Sequence, residues 1–407
     1  MDTIKLNTPL ERKVRRLSIQ KAELPTTQLA TGSISQVRSF TIFRPVINQM
    51  LPLSRFEVLR VLDLQDCNLE ECGHLSLSCV GNLLYLRYLG LRNTRLRKIP
   101  LDIGKLLFLQ TLDLKGVDGN AEELPGSFVR LRNLMFLYLG CITYLPAGHK
   151  SLTSLRELRG AYFTQDSDLE ELRYLTELRE LKFRLPSKYP LEKVHIMLES
   201  LGKLHKLESL HIASDGENID KMGDSVPSSL GLNCLRLEGW YETMPTGISS
   251  SSLPLLSYLT ICVHQVRLED IQVLGTLPAL CFVRLESDED TSTEEERETE
   301  RSFMLSTDAF PSATRCLFEN VIFSPCMFPR GAMSMVQVLC FGLLVSDILS
   351  GGDLFIRNLP SLQSVEIKLY GEERGSQKYS EAKAAVERAV ADHPNCPDAY
   401  LFGTLKN

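Results

Sequence analysis

Seven histidines and eleven cysteines are the side chains of this 407-residue chain best suited to metal binding or covalent catalysis. Their spacing argues against both. His205 and His211 lie six residues apart, with no carboxylate or cysteine at ligand spacing around them. The cysteines are scattered and odd in number, with no Cys-x-x-Cys pair, and Cys67 and Cys316 fall at apolar positions where a thiol acts as a small hydrophobe. The chain has no H-E-x-x-H motif and no nucleophile elbow. Nothing supplies a base, a nucleophile and an oxyanion site together, so the sequence predicts neither an enzyme nor a cofactor or metal site. Recognition is the chemistry that remains. Tyr88, Phe136, Tyr138, His211, Tyr258 and Phe282 stand among Arg159, Lys182, Arg184, Arg236 and Arg284. Aromatic rings and guanidinium groups dominate interface energetics, so these eleven residues form the expected partner-binding set, with Phe136 and Tyr138 inside the footprint. The plainer alternative is an ordinary sheet surface, its aromatics stacking on cross-strand neighbours.

The elements that must carry these residues are legible between Leu86 and Leu114, LRYLGLRNTRLRKIPLDIGKLLFLQTLDL. Leu86, Leu89 and Leu91 make L-x-x-L-x-L. Thr94, Leu96, Ile99, Pro100, Ile103 and Leu106 complete the unit, and Leu109 restarts it. Alternation about Leu89 and Leu91 suits a short strand with one buried face. Pro100 and Gly104 keep the return path from forming a long helix. This is the leucine-rich-repeat signature. About fifteen units begin at Val14, Val37, Leu59, Leu86, Leu109, Leu134, Leu155, Leu178, Leu207, Leu232, Leu256, Leu280, Ala313, Val336 and Leu362. The expected fold is therefore α/β: a leucine-rich-repeat solenoid spanning residues 14–370, with a curved parallel sheet on its concave face and irregular or short helical return segments. The eleven candidate residues would line that concave face. No single unit folds alone, because its strand has two unpaired edges and one apolar face, and stacking satisfies both.

Residues 1–13 form a lead-in, with no cap for the first unit. At the other end Ala382, Ala385, Val386, Ala389 and Val390 share one helical face, which predicts an amphipathic capping helix over 379–394, started by Ser380 and stopped by Pro394. Glu286–Arg301 carries nine carboxylates and two arginines, so 286–312 is expected to be an acidic flexible insertion within the array. A regulatory tail that docks on the basic N-terminal half is the other reading of that run. The net charge of −6 and pI near 5.8 argue against a dedicated nucleic-acid binder. That charge is uneven: residues 1–200 hold 28 Lys/Arg against 22 Asp/Glu, and the remainder 17 against 29, a polarity that can orient a partner. The first twenty residues lack the apolar core of a secretory signal, no apolar run is long enough to span a bilayer, and no Asn-x-Ser/Thr site occurs. With unpatterned cysteines, these features predict a cytoplasmic protein.

Beyond spacing, the wording of the units resembles plant intracellular immune receptors of the nucleotide-binding, leucine-rich-repeat type, above all the coiled-coil subclass of cereals. VRRLSIQ at Val14–Gln20 followed by VRSFTIF is similar to the entry from the nucleotide-binding region into the repeats. LRVLDLQDC, EELPGSFVRLRNLMFLYL, LRELRG and ERAVADHPNCP also look familial. The nucleotide-binding half is absent from this sequence. No G-x-x-x-x-G-K-[ST] loop occurs, and Gly104-Lys105 and Gly202-Lys203 are each followed by Leu. The resemblance implies a sensing arm that engages a pathogen effector or guarded host protein and restrains an NB-ARC module, in cis or in trans. A free-standing cytosolic scaffold that assembles signalling proteins is the alternative. A ubiquitin-ligase substrate receptor is disfavoured, since thirteen leading residues are too few for an adaptor-binding domain.

Overall fold

The computed structural model describes residues 14–19, 34–42, 53–67, 69, 77–94, 96, 98–117, 124–186, 194–217, 231–288, 304–351 and 354–403. The lead-in at 1–13 and most of the acidic run lie outside the described residues. The chain forms two compact units, Met1–Pro186 with Glu199–Leu207, and Ser187–Leu198 with Glu208–Asn407.

The first unit carries eight parallel strands in sequence order: β1 (Arg16–Ile19), β2 (Ser39–Ile42), β3 (Val61–Asp63), β4 (Tyr88–Gly90), β5 (Thr111–Asp113), β6 (Phe136–Thr143), β7 (Glu157–Tyr162) and β8 (Glu180–Leu185). The second carries eight more: β9 (Ser209–Glu217), β10 (Cys234–Tyr241), β11 (Tyr258–Val263), β12 (Phe282–Ser287), β13 (Arg315–Phe323), β14 (Val338–Leu344), β15 (Ser364–Tyr370) and β16 (Asp398–Gly403). Each of β1 to β15 begins two residues after the leading apolar residue of its unit, as Tyr88 follows Leu86 and Phe282 follows Leu280. Strictly parallel, sequential pairing is what short units impose, because each strand must return on the same side before the next one starts.

The leucines at the repeat positions form the core. Leu86, Leu106, Leu109, Leu112, Leu134, Leu137, Leu155 and Leu158 in the first unit, and Leu256, Leu259, Leu280, Val283 and Leu285 in the second, are buried to the last per cent. One polar position inside this core is also satisfied locally: the Thr94 hydroxyl donates to Leu91 O at 2.6 Å. Cys67, Thr94 and Val117 occupy matching places in consecutive repeats, and each donates its N–H to the last strand leucine of its unit. Just before these positions the backbone turns left-handed at Asp66, Asn93 and Gly116. A Cβ on Gly116 would collide with Asn93 Oδ1, so glycine fits that turn for steric as well as conformational reasons.

The return segments differ in length. Among the described residues of the first unit they include single 3-10 turns, as at Leu101–Lys105 after Pro100 and Gly126–Arg130 after Pro125, and a short helix, α1 (Asp166–Leu172). α2 (Val194–Leu201) follows β8 in the chain. In the second unit they include α3 (Leu268–Gly275), α4 (Val345–Leu349) and α5 (Gln377–Ala391). α5 is the helix expected at the C-terminal end, but it lies between β15 and β16 and packs on α4, so it is a return segment and not the last element. Its cap is Ser376, whose Oγ accepts the Tyr379 N–H at 3.0 Å, in place of Ser380. At the edges of the acidic run, Glu286 and Ser287 belong to β12, while Leu305, Ala309 and Phe310 are buried. Among the described residues no helix is long and apolar enough to cross a membrane.

Candidate functional site

Strand alternation turns one face of each sheet outward, and cross-strand register sorts the outward side chains into rows. In the first unit one row reads Val61, Tyr88, Thr111, Phe136, Glu157, Glu180, and the next Asp63, Gly90, Asp113, Tyr138, Arg159, Lys182. Six of the expected binding residues are here: Tyr88, Phe136, Tyr138, Arg159, Lys182 and Arg184, all half-buried. Of these, Tyr138 and Arg159 meet directly. The Tyr138 hydroxyl donates to Glu157 Oε2 at 2.9 Å. Arg159 Nη2 donates to Glu180 Oε2 at 2.6 Å and lies 3.1 Å from Glu157 Oε2. Lys115 Nζ stands 4.5 Å from the Tyr138 ring centroid and the Arg159 guanidinium 5.3 Å from it. Burial, then the hydrogen bond to Glu157, pushes the Tyr138 phenol up to about 12, so it stays a neutral donor at physiological pH. Tyr88 is raised as well, by burial first and then by the nearby charges of Asp63 and Asp113.

In the second unit a row of Cys234, Tyr258, Phe282 and Arg315 runs beside a row of His211, Arg236, Thr260 and Arg284. Tyr258 and Phe282 stack at 4.3 Å with 7° between their planes. The Arg236 guanidinium lies over the Tyr258 ring at 4.4 Å from its centroid, and the Arg315 guanidinium 5.9 Å from the Phe282 ring centroid. Four strands thus share one ladder of cations and rings, each aromatic pair contributing about 0.5–1.5 kcal/mol beyond its buried area. Arg284 Nη2 donates to Glu319 Oε2 at 2.9 Å and approaches Glu286 Oε2 at 3.4 Å. Burial, then Glu286, pushes the Cys262 thiol up to about 12. His211 departs from its expected role: it is 7% exposed, with Nε2 2.7 Å from Glu238 Oε1, and presents little surface to a partner.

The sequence reading passed over Lys115, Glu157, Glu180, Glu319 and Arg315, which complete these clusters. Register would have found Glu157, Glu180, Glu319 and Arg315, since each sits in the same row as an expected residue or in the row beside it, while Lys115 lies just past β5. The chemistry available is hydrogen bonding, ion pairing and stacking. Among the described residues no group of three or more His, Cys, Asp or Glu is arranged to hold a metal ion.

Parallel strands in strict sequence order, apolar residues at L-x-x-L-x-L positions and short returns define a repeat protein. The chain belongs to the leucine-rich-repeat family: the family model of a leucine-rich repeat region matches residues 36–399. Among its relatives are disease resistance protein RGA5 of Oryza sativa subsp. japonica, 28% identical over 404 residues and 94% of this chain, and disease resistance protein Pik-2 of the same organism, 28% identical over 315 residues and 67% of this chain. A third, the probable disease resistance protein RF9 of Arabidopsis thaliana, is 32% identical over 169 residues, 40% of this chain and 15% of the relative. The chain matches 35% of RGA5 and 30% of Pik-2, about a third of their length. In fold it resembles a leucine-rich-repeat protein of Leptospira interrogans, with a TM-score of 0.57 at 18% identity and 97% coverage of both chains.

Proposed function

We propose that the chain is a non-catalytic protein-recognition module of plant immunity, working in the cytoplasm. On this reading it senses a pathogen effector or a guarded host protein and restrains a nucleotide-binding module that is not part of this chain. The observation that carries the reading is the alignment to RGA5 across 94% of the chain, supported by Pik-2 and RGA4, all named as disease resistance proteins. None of the nine cysteines whose side chains are described forms a disulfide, in keeping with a reducing compartment. The outward faces supply what recognition requires, half-exposed rings and guanidinium groups already held in place by neighbours.

The test is immunoprecipitation of the tagged chain from infected and uninfected leaves, beside a Phe136→Ala, Tyr138→Ala double variant. A pathogen-secreted protein, or the host protein it modifies, should be retained by the parent chain and lose at least about tenfold in recovery with the variant, as expected for loss of two aromatic anchors. Equal recovery by both, with the variant folded, would remove Phe136 and Tyr138 from the footprint. If no secreted or secretion-modified protein is retained by either, the sensing role itself fails.

A further inference from the structure

One residue upstream of each strand in the first unit, the backbone forms a continuous hydrogen-bonded ladder. Arg38 N donates to Arg15 O at 2.8 Å, Arg60 N to Arg38 O at 2.7 Å and Arg87 N to Arg60 O at 2.8 Å. The ladder continues through Gln110 and Met135 to Arg156 and Arg179, each step 2.8–2.9 Å. Four adjacent strands therefore present four arginines in register, at the inter-strand spacing of about 4.8 Å. All four are exposed. Among the described residues, none of Arg15, Arg38, Arg60 and Arg87 forms an ion pair.

The fold does not ask for arginine there. In the second unit the equivalent ladder runs Glu208, Asn233, Ser257, Cys281, Thr314, Gln337, with no Lys or Arg. Stacking like charges at that spacing is unfavourable unless something neutralises them. The turns beside Arg87 and Gln110 add exposed apolar side chains at matching positions of two consecutive repeats: Leu84 and Tyr85, then Leu107 and Phe108, each more than half exposed. Unpaired guanidinium groups bordering an apolar patch call for carboxylates and hydrophobic anchors in one ligand, since guanidinium binds carboxylate in a bidentate fork.

We propose that this edge of the first unit, from Arg15 to Phe108, is a docking surface for an acidic protein segment that also carries leucine or aromatic residues, laid across β1 to β5. Carboxylates meet the arginine ladder, and apolar side chains meet Leu84, Tyr85, Leu107 and Phe108. The aliphatic Leu84 and Leu107 offer a nucleic-acid base no stacking face, whereas leucine or aromatic side chains can cover them, so a protein segment fits better than RNA. This surface stands on the ladder and the patch alone and does not depend on the immune reading.

The experiment uses the purified full chain and three fluorescent probes: a peptide alternating Glu with Leu and Phe, a peptide alternating Glu with Ser, and a poly-uridylate oligomer. Anisotropy should show binding of the Glu/Leu/Phe peptide that weakens about tenfold or more from about 50 to 300 mM NaCl, as screened charges require. The triple variant Arg38→Glu, Arg60→Glu, Arg87→Glu should weaken it about thirtyfold, whereas Arg330→Glu, Arg357→Glu, Arg374→Glu in the second unit should change it less than about threefold. Arg38→Gln, Arg60→Gln, Arg87→Gln serves if charge reversal disturbs folding, and should still weaken binding. Equal loss from both triple reversals would overturn the assignment to this edge. Equal binding of the Glu/Ser peptide would overturn the apolar half, and tighter binding of poly-uridylate would overturn the choice of a protein partner.

Discussion

Single residues on the outward face carry charges whose state the fold has altered. Asp63 shares a row with Gly90 and Asp113, and its carboxyl is pushed up by burial, a rise that the Gln65 N–H opposes and that Asp113 and Asp66 reinforce. The folded chain therefore holds this proton more tightly than the unfolded chain does. Its favourable contribution is full below the unfolded value near 3.8 and is lost as pH rises through the higher folded value. Asp63→Asn keeps an oxygen for the Gln65 N–H and removes the penalty. Its melting temperature should exceed that of the parent at about pH 7 and match it near pH 3, where the aspartate is protonated in both states. A lower melting temperature at neutral pH would show that Asp63 makes a favourable ionised contact. Two histidines passed over as scattered prove to be structural ties. His149 is fully buried with Nε2 3.1 Å from Asp168 O, and His393 accepts the Asn395 N–H at Nδ1 and faces Leu359 O with Nε2.

At the scale of elements, return length follows the residues available between strands. Twenty-three positions separate Leu86 from Leu109, enough for a 3-10 turn held off by Pro100. Thirty-four separate Leu362 from Cys396, which stands two residues before β16, and the surplus becomes α5. α5 buries Tyr379, Ala382, Val386 and Val390 against the array. Its start is set by Ser376, three residues before the N–H it accepts, while the Ser380 hydroxyl only returns to Ser376 O at 3.0 Å inside the first turn. Ser376→Ala should therefore cost about 1 kcal/mol of stability, and Ser380→Ala within about 0.5 kcal/mol of nothing, in denaturant melts. The reverse ranking would return the cap to Ser380.

For the molecule as a whole, stacked repeats make stability a matter of neighbours. Leu158 is completely buried in β7, and Leu158→Ala should cost about 2–5 kcal/mol. The loss should be local: faster amide exchange in β6 to β8, with β12 to β15 unchanged. Uniform acceleration across all sixteen strands would show that the array unfolds as one cooperative body instead. The electrostatic division is on the same scale. The arginine ladder of β1 to β4 belongs to the first unit, while in the second Arg284 is held by Glu286 and Glu319.

Much of this was legible in the chain itself. The period of L-x-x-L-x-L placed fifteen strands, because a buried leucine every few residues admits one register and a slip of one residue would turn the core outward. β16 was not legible: as an edge strand its residues Asp398–Gly403 are mostly exposed, so they carry no apolar alternation to read. By the same alternation the candidate residues lie half-buried or exposed, apart from the buried His211. Which of them touch was not readable, because Tyr138 with Glu157 and Arg284 with Glu319 are contacts between strands 19 and 35 residues apart. The arginines at 15, 38, 60 and 87 were all visible in the sequence, yet they became a surface only once parallel pairing set them side by side. Sequence by itself determined the repeat, its core and its family, since these depend on local period and burial. Tertiary structure alone decided the ladders, the ion-pair networks and the docking edge, since those depend on which strand lies beside which.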